Sequence, residues 1–395
     1  MSEKKFLICN FLVVVTLLLL FCGLLLSTCL TVAFAETANS TSYYMDYVLD
    51  FLGDREILEE RIIGDGGSNE FMLVETSPSG YAIFAIDGNQ YSFVEGAKEA
   101  NSPFFKYINE TLVYLGPMLY YIDKGNHYFN VMTEECIEKE VIDSSEYDFL
   151  SQQKAMKSAP ALFSMENQPL PDKTYNEDGY TYIKDADYFK KLISFPSNDN
   201  EECGIVALCI LLGYFDFYKN DNFITNKKFI VKGGYLGSIL LISPGTTNQL
   251  RDLLKTYGHR LNLPGNNFAM AEKELKATMQ DYTQNECLTL SGNCIHYSGS
   301  VINTHTNPRK LINGGTPVVL VITNYERPDN FKKGGGHCVV AYGYKDDTFV
   351  THFGWEGFPQ VYLSKYTAYA YYAMEFNGEH VHSKNAPYCG CGVKV

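Results

Sequence analysis

A polar, turn-forming stretch, Phe195-Pro196-Ser197-Asn198-Asp199-Asn200-Glu201-Glu202, gives way at Cys203 to an almost unbroken apolar run, Ile205-Val206-Ala207-Leu208-Cys209-Ile210-Leu211-Leu212. Asn and Asp accept hydrogen bonds from the free N–H groups of a helix start, so the pattern predicts a helix opening at Cys203. Because that helix is apolar nearly all round, it belongs at the centre of a core. Downstream, Asn248–Tyr257 reads as a helix with Leu250, Leu253 and Leu254 on one face, and Met270–Asp281 as another with Leu275 and Met279 four apart. A short helix starts at Asn307-Pro308 and is stopped by Gly314-Gly315. Thr316–Thr323 then reads as a buried strand, lying beside a second strand that begins at His337 behind Gly334-Gly335-Gly336. A turn at Lys345-Asp346-Asp347 leads to a third strand, Thr348–Phe353, and Val361–Leu363 adds one more after Gly354-Trp355. Helices come first in this half, strands later.

The N-terminal half has a different texture. Apolar positions at helical spacing (Met45, Val48, Leu49, Phe51) predict a helix over Tyr43–Ile63. Short apolar runs follow, Phe71–Glu75, Tyr81–Ile86 and Gln90–Val94, separated by Ser77-Pro78-Ser79-Gly80 and Asp87-Gly88-Asn89, the turn chemistry of a β-meander. Leu112–Pro117 and Met118–Ile122 are further strand candidates. Lys4 and Lys5 precede an apolar run from Phe11 to Leu26 that ends in Ala33-Phe34-Ala35, the layout of an export signal cleaved after Ala35, with an uncleaved anchor as the alternative. Ser151–Asp172 is polar and proline-bearing, an extended and protease-accessible linker. The expected organisation is a signal over 1–35, an accessory or propeptide-like region over 36–150, a linker over 151–172, and a main domain over 173–395.

Composition narrows the functional classes. A chain of 395 residues with 46% hydrophobic content can bury a sizeable core and hold about two domains. A net charge of −14 argues against nucleic acid and anionic membrane surfaces as partners. The eleven cysteines do not form a disulfide framework. Cys9, Cys22 and Cys29 leave with the signal, Cys287 and Cys294 flank a loop and can pair, and Cys209 reads as a buried thiol in the core helix. Cys389-Gly390-Cys391, near His380 and His382, lacks a second ligand pair at zinc-finger spacing, so no metal is expected.

Candidate chemistry gathers at Cys203. A helix N-terminus carries partial positive charge and favours thiolate, the attacking form of cysteine. A base must take and return the proton, and the Gly334-Gly335-Gly336-His337 start of a strand supplies one. A helix-opening Glu-Cys-Gly, a Gly-His strand start and a hairpin return ending in Gly354-Trp355 together resemble papain-like cysteine peptidases, over about residues 170–375. The nearest variety is the secreted bacterial kind, similar to streptopain and to the double-glycine leader peptidases. The resemblance implies an α+β fold: a two-lobed catalytic domain with a helical half facing an antiparallel β half, preceded by a small sheet-rich N-terminal domain. It implies Cys203 as nucleophile and His337 as general acid/base. The family's orienting Asn or Asp falls on His352, a departure. The family's oxyanion Gln falls on Ser197, which leaves Asn198 or Asn200 as the side-chain amide beside the Cys203 N–H. Trp355 is expected to pack over His337. The implied activity is peptide-bond hydrolysis through a Cys203 thioester, without cofactor, on a peptide or protein substrate, with no stable membrane insertion after signal cleavage. Two alternatives stand beside it: an amidase or transpeptidase acting on cell-wall peptides, and a secreted binding protein whose site has decayed.

Overall fold

The computed structural model describes residues 44–66, 69–139, 172–194, 202–224, 239–240, 249–258, 272–287, 295–301, 308–322 and 337–378. Two compact units are distinguished, Met1–Asp54 with Ile86–Ser92, and Arg55–Ala85 with Phe93–Val395. In the first, residues 44–52 are helical and the rings of Tyr44 and Tyr91 lie 4.7 Å apart. That helix is shorter than the apolar spacing predicts. Gly53 takes a φ of +77°, and its N–H closes on the Leu49 carbonyl at 2.9 Å, ending the helix. The remainder of the expected helix, from Glu56, is instead strand β1 (Glu56–Gly64), paired antiparallel with β2 (Glu70–Ser77). Leu58 and Ile62 point outward on β1, which let a strand with two exposed apolar residues imitate a helical face.

The expected meander is present as β2, β3 (Tyr81–Asp87) and β4 (Gln90–Ala97), next to β1; β5 (Leu112–Tyr114) joins the other edge of β1 in parallel and leads to β6 (Tyr120–Asp123), β7 (His127–Asn130) and β8 (Cys136–Glu138). Beyond residue 172 come β9 (Thr174–Glu177), β10 (Tyr180–Ile183), α1 (Asp187–Lys191), β11 (Leu192–Ser194), α2 (Cys203–Tyr218), β12 (Ile239–Leu240), α3 (Gln249–Thr256), α4 (Glu272–Glu286), β13 (Ile295–Val301), α5 (Pro308–Asn313), β14 (Val318–Ile322), β15 (His337–Lys345), β16 (Thr348–His352), β17 (Val361–Ser364) and β18 (Ala368–Phe376). The class is α+β, one large sheet with few helices. Among the described residues the sheet runs β13-β18-β14-β15-β16-β17-β4-β3-β2-β1-β5-β6-β7-β8, with β10 on β15 and β9 on β10. The meander and the later strands therefore share one hydrogen-bonded path, joined where Glu95 and Gly96 of β4 oppose Leu363 and Tyr362 of β17.

The strand at Val318–Ile322 does lie beside the His337 strand, with Val319 opposite Val340 and Ile322 opposite His337. β13 and β18 are additions that the sequence reading did not mark. α2 is buried along its length and packs against β15. Aromatic rings fix that packing. Phe189 of α1 stacks on Tyr342 of β15 at 4.9 Å and 6° between planes, and on Tyr214 of α2 at 5.3 Å. Gly343 is required where Tyr182 crosses β15, since a Cβ there would meet the Tyr182 ring at 2.6 Å.

Two glutamates are buried in the meander. Glu95 accepts the Tyr120 hydroxyl at 2.5 Å, with the phenols of Tyr81 and Tyr114 beside it, and burial pushes its carboxyl up to about 8. Glu75 accepts the hydroxyl and N–H of Ser102, and burial lifts it to about 7 despite those bonds. Both hold protons in the folded state that the unfolded chain releases above its ordinary value of 4.5. Their contribution to stability is therefore complete below that value and is lost as pH rises toward 7 and 8. For Glu95 alone the loss is on the order of 4 kcal/mol. Urea unfolding at about pH 5 and about pH 8 checks this: Glu95→Gln, which keeps a polar partner for Tyr120, should flatten the decline. An unchanged slope in that variant would show that Glu95 is already ionised in the fold.

Candidate active site

The site forms where the first turn of α2 meets the first residues of β15. The N-cap position of α2 is Glu202 rather than an Asn or Asp, and its carboxylate makes no capping bond. It is used elsewhere: Arg251 of α3 reaches Oε2 at 3.0 Å and Lys255 pairs with Oε1. Glu202 is 1% exposed, so this ion cluster is an internal tie between the start of α2 and α3. The four N–H groups of the first turn have no intrahelical partner and face the end where Cys203 stands.

Cys203 and His337 are brought together. Cys338 follows His337 on β15, and both its thiol and its backbone N–H hydrogen-bond to Cys203 Sγ. The Cys203 thiol is held well below the usual range, first by the Cys338 thiol, then by the charge and hydrogen bond of His337 and by the Cys338 N–H, against the opposing effect of burial. His337 Nε2 lies 2.9 Å from the Phe353 carbonyl. A carbonyl only accepts, so Nε2 carries the hydrogen and Nδ1 is left to face Cys203. That is the tautomer a general base needs.

The described partner of His337 Nε2 is the Phe353 carbonyl, one residue past His352. His352 is fully buried, its Nδ1 accepting the Gly354 N–H at 3.0 Å. Burial holds it near 4, so it stays neutral at ordinary pH and braces the turn after β16. Gly354 in that turn has a φ of +73°, which L side chains rarely adopt. Trp355 is not the aromatic group on His337. Phe353 is, edge-on with centroids 6.1 Å apart, while the half-buried Trp355 follows the turn. Asn198 and Asn200 lie outside the described residues, as do Ser197 and the tripled glycines before His337.

Three participants were missed in the sequence. Cys338 sits inside the Gly-His motif itself, and its identity as a second thiol was the available signal. Glu202 precedes the nucleophile directly. The Phe353 carbonyl had no signal, since backbone groups carry none. The other cysteines behave as structural residues: burial pushes the Cys209 thiol well above its ordinary range, and Cys287 donates to the Phe223 carbonyl at 3.2 Å. Cys294, Cys389 and Cys391 are outside the described residues, and no group of three metal-ligating side chains occurs among the described ones.

Residues 183–376 match the model of the Peptidase_C39 like family. The matched residues run from the last residue of β10 to the end of β18 and include both Cys203 and His337. Solved structures similar to the chain include one described as a C39-like peptidase from Bacillus anthracis, at 12% identity over 46% of this chain and 94% of that one, TM-score 0.25. Another is a fragment of Prevotella intermedia prointerpain A, at 12% identity over 80% of this chain and 98% of that one, TM-score 0.28. No curated protein matches the chain.

Proposed function

We propose that the protein is a cysteine peptidase that hydrolyses peptide bonds through a thioester on Cys203. The observation that carries the reading is the contact of Cys203 with an imidazole whose other nitrogen is fixed by the Phe353 carbonyl. In the proposed cycle the Cys203 thiolate attacks a peptide carbonyl while His337 holds the proton on Nδ1. His337 then gives that proton to the leaving amine and removes one from the water that cleaves the thioester. In this reading the Cys203 N–H, in the first turn of α2, donates to the oxyanion. The Phe353 carbonyl keeps the imidazole in position.

The same reading has the chain exported by residues 1–35 and the region before about residue 165 restraining the peptidase until the Ser151–Asp172 linker is cut. Support for restraint lies in the sheet path, where β4 lies on β17, two strands from β15. No helix among the described residues is long and apolar enough to cross a membrane. One experiment addresses activity and restraint together. The intact chain and the linker-cleaved chain are each assayed on a peptide library, with and without iodoacetamide. Expected are hydrolysis that rises on cleavage and disappears as Cys203 is alkylated. Hydrolysis that survives full alkylation of Cys203 refutes the chemistry, and equal rates before and after cleavage refute the restraint.

A further inference from the structure

We propose that Cys338 is a resolving cysteine: peroxide oxidation of Cys203 ends in a reversible Cys203–Cys338 disulfide that closes the site. The pair is set up by the fold. α2 packs on β15, Cys203 opens the helix and Cys338 is the second residue of the strand, held in register opposite Val321. Both are buried thiols, 5% and 2% exposed, and they hydrogen-bond to each other. Nucleophilic attack by one sulfur on the other thus needs no third partner to enter a closed space.

The chemistry balances in two steps. The Cys203 thiolate attacks the peroxide O–O bond, forming S–O and breaking O–O, which gives Cys203 sulfenic acid and releases hydroxide that leaves as water on protonation. Cys338 then loses its proton to His337 and attacks Cys203 Sγ, forming S–S and breaking S–O, and the departing hydroxide takes the proton back as water. Cys203 is oxidised and the peroxide reduced. A dithiol reverses the bond by exchange. Cys209, six residues along α2, is a poor competitor because burial keeps it in the thiol form. The disulfide protects the nucleophile from irreversible sulfinic acid, since resolution outruns a second oxidation when the resolving thiol is already in contact.

The inference rests on Cys203 being a reactive thiolate, as the proposed peptidase requires, but its readout is a cross-link and not hydrolysis. The full chain is treated with stoichiometric hydrogen peroxide in the presence of dimedone, alkylated, digested without reductant and mapped by mass spectrometry. Expected in the unsubstituted protein is a Cys203–Cys338 linked peptide pair as the main oxidised species, lost on adding dithiothreitol. In Cys338→Ser the linked pair is absent and dimedone labelling of Cys203 rises by about tenfold. Equal dimedone labelling in both proteins, a disulfide from Cys203 to another cysteine, or no oxidation of Cys203 overturns the proposal. The first two results leave the peptidase reading intact, so the two claims fail separately.

Discussion

Cys203→Ala is expected to lower peptide hydrolysis by on the order of 10⁴-fold or more, and His337→Ala by about 10²–10⁴-fold, with unfolding midpoints changed little. The difference follows from the roles. Without the sulfur no acyl intermediate forms, whereas without the imidazole a thiolate persists, supported by the Cys338 thiol and N–H. His337→Ala should therefore also raise the pH at which Cys203 reaches half its maximal alkylation rate, since the charge and hydrogen bond that His337 contributes to the thiolate are gone. Activity and alkylation profiles of the two variants against pH decide the matter. A His337→Ala protein with an unchanged alkylation profile would mean that the imidazole does not act on Cys203. Replacing His352 separates bracing from catalysis in the same assay. Because that ring braces Gly354 and is held neutral near 4, its removal should weaken stability while the alkylation profile stays in place.

Glu202→Ala is the second large effect. The carboxylate is buried between Arg251 and Lys255, and Arg251 is itself buried. Removing the anion leaves a desolvated guanidinium without its strongest partner, which costs about 3–5 kcal/mol. A buried ion pair replaced whole is far less damaging than one broken, so the double variant Glu202→Ala with Arg251→Ala should be more stable than the sum of the single losses. Chemical denaturation of the four proteins of this cycle measures it. Additive losses would show that the two residues do not act as a pair. The consequence for the site is geometric: the tie fixes α3 to the residue just before the nucleophile, and a looser α2 start shifts Cys203 against β15.

Much of this arrangement was legible along the chain because it depends on short-range physics. The apolar run after Cys203 could only be a central helix, and its residues are buried from Cys203 to Phe217. The Gly-His start, the Lys345–Asp347 turn and the Thr348 strand required the β15–β16 hairpin, which is present with Val340 opposite His352. Cys203 and His337 were named from a helix start and a strand start together with the resemblance those motifs carry, and the two side chains interact in the fold.

What the chain could not show are the features that depend on which distant atoms meet. The strand β1 read as helix because two of its apolar residues face outward, and only pairing with β2 fixes it as a strand. The group on His337 Nε2 is the backbone carbonyl of Phe353, which no side-chain identity marks in the sequence. The function of Glu202 depended on Arg251, about fifty positions away, and the second thiol at Cys203 on strand register. Local sequence determines which elements form and where a nucleophile and a base begin them. Tertiary structure alone decides their partners, because hydrogen bonds and ion pairs act over a few ångströms between residues that the chain keeps far apart.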